Sequence, residues 1–145
     1  MSTYNKILVA IDLSPEARLV VTRASELAQF YAATLTLIHV VEPLVAMEDS
    51  ELMPALPLEI EKTLEQRAKN FLAALVSDIG LSGAETVVDI GSPKREILRH
   101  ARDQDIDLIV IGAHGRHGIA TLLGSTANAV LHGTLCDVMC VRIGK

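Results

Sequence analysis

The sequence predicts an α/β fold: an open five-stranded parallel sheet with helices on both faces, in one domain spanning residues 1–145. Three observations predict it. Short apolar runs alternate with longer amphipathic segments along the whole chain. The apolar runs are aliphatic: half of the residues are hydrophobic, only 3% are aromatic, and Trp is absent. Strands of Leu, Ile and Val without polar alternation suit a sheet buried on both sides. A chain of 145 residues is also the size of one domain with a core of its own.

The elements follow in order. Lys6 to Asp12 (KILVAID) reads as a buried strand. Ser14-Pro15-Glu16 reads as a helix start, with Ser14 as N-cap and Pro15 in the first helical position. Val20, Ala24, Leu27, Ala28 and Tyr31 carry that helix to about Ala32. Thr34 to Val41 is the second strand. Glu42 to Pro57, with three prolines, reads as an irregular connection whose Met47 and Met53 are candidates for a pocket cover. Ile60, Leu64, Ala68, Phe71, Leu72, Leu75 and Ile79 mark one face of a long helix from Leu58, closed by Gly80. Glu85 to Ile90 is the third strand. Ser92 caps a helix whose apolar face is Ile97, Leu98 and Ala101. Leu108 to Ile111 is a short fourth strand, and a glycine-rich loop starts at Gly112. A last helix runs from about Ser125 to His132, and Asp137 to Ile143 is the fifth strand.

Charge and cysteine usage narrow the function classes. A net charge of −5 speaks against a nucleic-acid binder, which would present a basic patch. Ile7 to Ile11 is too short for a secretory signal core or a bilayer span, so no membrane partner is expected. Cys136 and Cys140 would share one face of the last strand, about 13 Å apart at ~3.3 Å per residue. That is too far for a disulfide, so both are expected as buried, reduced thiols in a cytoplasmic protein.

In such sheets ligands bind beyond the carboxyl ends of the strands, where strand order reverses. Asp12 ends the first strand, Val40 and Val41 the second, and Gly112-Ala113-His114-Gly115 follow the fourth. Gly124-Ser125-Thr126 stands at a helix start, where free amides and the helix dipole favour an anion. Asp12 has the chemistry to accept from ribose hydroxyls or to hold phosphate-bound Mg²⁺; its purely local alternative is to start the first helix. His114 is the candidate imidazole near the phosphates. His39 is expected to be a strand histidine with its hydrogen bond satisfied. Arg116 and His117 are expected to be solvated. No Walker A loop, dinucleotide fingerprint, H-E-x-x-H, C-x-x-C or G-x-S-x-G occurs.

Four passages carry a resemblance: ILVAIDLSPEA, LIHVV, DLIVIGAHGRHG and LLGSTANAVLHGTLCDVMCVR. With these the chain resembles the universal stress protein family over essentially its full length. The nucleotide-binding branch of that family carries G-x2-G-x9-G-(S/T), and here the spacing is Gly112-x2-Gly115-x8-Gly124-Ser125, one residue shorter. The resemblance implies a Rossmann-like fold of the adenine nucleotide alpha hydrolase type that binds ATP or AMP, with Mg²⁺ held through the phosphates; no catalytic residues are assigned, because the loop holds no lysine and His114 is the only nearby candidate base. It implies that Asp12 contacts ribose, Ala10 and Val40 border adenine, and Ile111 and Gly112 flank the sugar. Gly115, Gly124, Ser125 and Thr126 would hold the phosphates. It also implies a homodimer made by the final strand, through Val138, Cys140, Val141 and Ile143. The expected role is a cytoplasmic stress-response regulator. The alternatives are a nucleotide-free interaction protein and a slow ATP hydrolase or phosphotransferase.

Overall fold

The structure, a computed structural model, describes residues 3–43, 58–114 and 124–143. Its strands are β1 (Lys6–Ala10), β2 (Thr34–Val41), β3 (Glu85–Ile90), β4 (Leu108–His114) and β5 (Asp137–Ile143). Its helices are α1 (Ala17–Tyr31), α2 (Leu58–Ile79), α3 (Pro93–Asp103) and α4 (Ser125–Gly133). All five strands lie parallel in the order β3-β2-β1-β4-β5. The fold class is as the sequence predicts.

The unbroken apolar run of β1 has a direct explanation. Successive side chains of a strand point to opposite faces, and both faces of β1 are covered. Ile7 and Val9 join Leu37, Val110 and Val141 under α1 and α2, against Val20, Val21, Ala24 and Leu72. Leu8 and Ala10 join Ile38, Ile109 and Ile111 under α3 and α4, against Ile97, Ala101, Ala127 and Val130. β1 is the centre of the sheet, and the chain runs outward from it in both directions.

The helix ends follow local chemistry. Ser92 is extended, and its Oγ accepts from the Arg95 amide at 3.4 Å, as expected of an N-cap. Gly80 takes φ +80° after α2, and its amide donates to Val76 and Ser77 carbonyls at 3.0 and 3.2 Å. α1 departs from expectation. Its helical ladder begins at Ala17, and Ser14 donates its hydroxyl to Asp12 rather than capping the helix. Residues 14–17 form a tight turn in which the Ala17 amide reaches the Ser14 carbonyl at 3.1 Å.

Two strand bounds also differ. β1 ends at Ala10, two residues before Asp12, so Asp12 lies outside the sheet. β4 runs on through Gly112, Ala113 and His114, which had been expected in a loop. Pairing with β5 is the reason, because Gly112, Ala113 and His114 sit opposite Val141, Arg142 and Ile143. The expected connection is described only at Glu42 and Pro43; residues 44–57, with Met47 and Met53, lie outside the described residues. Gly115, Arg116, His117 and Gly118 lie outside them too, as does the side chain of His114.

Candidate functional site

Strand order reverses between β1 and β4: from β1 the chain builds β2 and β3 on one side, then β4 and β5 on the other. The two following helices start on opposite faces, so a crevice opens beyond the strand ends. A cavity of about 250 Å³ occupies that position. Ala10, Asp12, Val40, Ile111, Gly112, Gly124, Ser125 and Thr126, all chosen from the sequence, line it together. Gly115 lies outside the described residues, and of His114 only the backbone, as the last residue of β4, is described.

The walls differ in character. Ala10, Val40, Ile111 and Ile97 are each at most 7% exposed and make an apolar slot between β1, β2, β4 and α3. At one rim stands Asp12, exposed to solvent. Its Oδ1 accepts from the Ser14 amide at 3.1 Å and the Ser14 hydroxyl at 2.5 Å, a side-chain turn that fixes the carboxylate. At another rim the α4 helix begins. Gly124 precedes it with φ +75° and ψ 162°, a conformation that only glycine adopts easily. The first-turn amides of α4 are a helix start with no side-chain cap, next to the Ser125 and Thr126 hydroxyls.

Gly112 serves a different purpose from the one its sequence context suggests. Its φ is not in the left-handed region; a Cβ there would fall 2.3 Å from Ile143 Cδ1 and 3.2 Å from Val20 Cγ2. The glycine lets β5 and α1 close over β4 beneath the cavity.

Sequence reasoning missed several lining residues: Ile11, His39, Glu42, Pro93 and, in this role, Ile143. Pro93 and Ile97 follow β3, so the strand-end rule that found the others would also have found them. His39 is hydrogen-bonded, as expected, through Nδ1 to the Ile11 carbonyl at 2.8 Å. Its place in the wall was not expected. It also corrects the view of His114 as the one imidazole near the site.

The residues expected on the final strand divide between two faces. Val141 and Ile143 are buried, 7% and 4% exposed, in the core under α1. Val138 and Cys140 pack half-buried against the core under α3 and α4. Cys136 and Cys140 are free and only partly buried, where full burial had been expected. Burial pushes the Cys140 thiol above its ordinary pKa. Among the described residues β5 has no strand beyond it, so it is the edge of the described sheet.

The model of the universal stress protein family matches residues 3–142. The chain belongs to the universal stress protein family. Universal stress protein A homolog 2 of Coxiella burnetii is 43% identical over 144 residues, covering 99% of this chain and 98% of the relative. The solved structure of protein MJ0577 superposes with a TM-score of 0.79 at 25% identity, covering 99% of both chains. A universal stress protein solved in complex with cAMP shares the fold, with a TM-score of 0.63 at 24% identity, over 97% of this chain and 98% of that one. No helix among the described residues of this family member is long and apolar enough to cross a membrane.

Proposed function

We propose that this universal stress protein, one domain over residues 1–145, binds an adenine nucleotide in the cavity between the β1 and β4 ends. It would act as a binding module and not as a catalyst. One observation carries the reading: a single cavity combines an apolar slot, a fixed carboxylate and an uncapped helix start. A flat base fits the slot of Ala10, Val40 and Ile111. Ribose hydroxyls donate to Asp12, and phosphate oxygens accept from the α4 amides and from Ser125 and Thr126. Mg²⁺, where it accompanies ATP, would be held through the phosphates with Asp12 beside them. The spacing between Gly115 and Gly124, one residue shorter than the signature, favours AMP over ATP. A protein with the same fold has been solved in complex with cAMP, which supports a nucleotide as the class of ligand.

Against catalysis stand the groups available. The described lining has no lysine, and the Nδ1 of His39 is committed to the Ile11 carbonyl. A general base must reach the proton it removes; among the described lining residues the candidates are the carboxylates of Asp12 and Glu42 and the Nε2 of His39, and the Asp12 carboxylate is engaged by Ser14. The β5 edge of the described sheet supports the homodimer, with Met139 37% exposed upon it. A long unpaired strand edge invites a partner strand. A dimeric regulator working in the cytoplasm is the role these features favour.

Thermal unfolding and calorimetry with AMP, ATP and Mg²⁺ test the site. Ligand at ~100 times its dissociation constant adds ~2.7 kcal/mol of stability, a rise of about 5–11 °C at this chain length. Asp12→Ala should abolish most of it. Ser125→Glu should do the same by repelling phosphate, although an acidic residue in the first turn favours the helix itself. If no adenine nucleotide shifts the wild-type transition, the interaction-protein reading takes its place.

A further inference from the structure

We propose that His39 is a positioning residue: its ring holds the Ile11 carbonyl and thereby sets where Asp12 presents its carboxylate to the cavity. The regular pairing of β1 with β2 ends at Ala10 opposite Ile38. One more backbone bond follows, from the Ile11 amide to the Ile38 carbonyl at 3.0 Å. The Ile11 carbonyl is then taken by the side chain of His39, at 2.8 Å from Nδ1. A carbonyl only accepts, so Nδ1 carries the proton. The contact is part-buried, where an unmet carbonyl is costly.

The consequence passes to Asp12 through one planar peptide. Fixing the carbonyl of Ile11 fixes the plane that also contains the Asp12 amide. Downstream, Asp12 Oδ1 accepts from the amide and hydroxyl of Ser14. The residue is thus held from both sides just after it leaves the sheet. Ile11, Asp12 and His39 all line the cavity. The link to a ligand rests on the nucleotide reading; the link between His39 and Asp12 does not.

The test has a ligand-free arm and a ligand arm. In ligand-free NMR, the wild-type ring should be protonated at Nδ1. His39→Leu should shift the amides of Ile11, Asp12 and Leu13 and speed their hydrogen exchange about tenfold, while the far ends of the strands stay unchanged. His39→Asn, whose amide reaches the place of Nδ1, should restore them. His39→Gln, whose amide falls further out, should not. Amides unchanged in His39→Leu, or equal behaviour of Asn and Gln, would overturn the proposal, and the Asn and Gln pair decides it even if the leucine variant does not fold. In calorimetry, His39→Leu should weaken AMP about tenfold, with rescue by His39→Asn. In an Asp12→Ala background it should cost nothing more. A further tenfold loss there would mean that His39 acts on the ligand directly, which overturns the positioning role. A wild-type chain that binds no adenine nucleotide rejects the nucleotide reading, and the amide result still decides the role of His39.

Discussion

A methyl group added at Gly112 would lie 2.3 Å from Ile143 Cδ1, whereas one added at Gly124 would meet none of the described residues within 4 Å. Both glycines border the same cavity, and replacing them should fail for different reasons. Gly112→Ala overpacks the core and should destabilise by about 1–3 kcal/mol. Ile143→Val removes the clashing Cδ1 and should recover part of that loss. Gly124→Ala forces an L residue to φ +75°, a strain of about 1–3 kcal/mol that Ile143→Val should not relieve. Urea unfolding of the single and double variants separates the two; equal rescue at both positions would show that the packing account of Gly112 is wrong. Alkaline pH gives a second expectation at this scale. The Tyr4 hydroxyl donates to Asp137 Oδ2 at 2.7 Å, and that bond to a carboxylate holds its pKa above the ordinary 10.0. The Cys140 thiol is held above its ordinary 9.0 by burial. In both cases the folded state keeps a proton that the unfolded chain has already lost, so stability falls as pH climbs above about 9. Tyr4→Phe should be less stable at neutral pH and show a shallower decline above pH 10 in denaturant titrations.

Among the elements, α1 ends on a residue poorly suited to its place. Ala32 takes φ 54° and ψ 41°, the left-handed cap that glycine fills without penalty. Ala32→Gly should therefore stabilise the chain by about 0.5–1 kcal/mol, read as a higher urea midpoint with an unchanged slope. At the start of α3 the opposite holds, and Ser92→Ala should cost about 1 kcal/mol through loss of the cap. These ends also show what a sequence reveals. β2, α2, β3 and β5 have the bounds their hydrophobic pattern predicts, because local period and punctuation agree with the packing. β4 is longer than predicted because its last three residues are held by pairing with β5, a partner no local window contains. α1 starts later because the Asp12 carboxylate takes the Ser14 hydroxyl that a capping pattern assigns to the helix. The candidate site was legible for a general reason: residues at strand ends of a parallel sheet must converge. The place of His39 in the cavity wall escaped notice because its partner, the Ile11 carbonyl, is a backbone atom far away in sequence.

Across the whole molecule the sheet has one long-range seam. Within each half, neighbouring strands are joined by a single crossover, but Ile7 of β1 pairs with Leu108 of β4, far along the chain. At the end away from the cavity, Asp107 fastens the seam. Its carboxylate accepts from the amides of Asn5 and Lys6 at 2.9 and 3.1 Å, and its own amide donates to the Lys6 carbonyl at 3.0 Å. Asp107→Ala should destabilise by about 2 kcal/mol, the scale of hydrogen bonds to a charged group, and Asp107→Asn by less. On the other side of the sheet edge, sedimentation of the wild type and of Met139→Lys tests the dimer. A lysine on the β5 edge should yield monomers, and a wild type that is monomeric at every concentration would remove the dimer. The seam has a kinetic meaning as well. Closing the longest loop is the slow, entropically expensive part of assembling such a sheet. The cavity straddles that seam, with Ala10 on one bank and Ile111 on the other. It therefore exists only once the two halves have met. A molecule bound there works as a rivet across that join: it binds only the folded chain and so holds the two halves together.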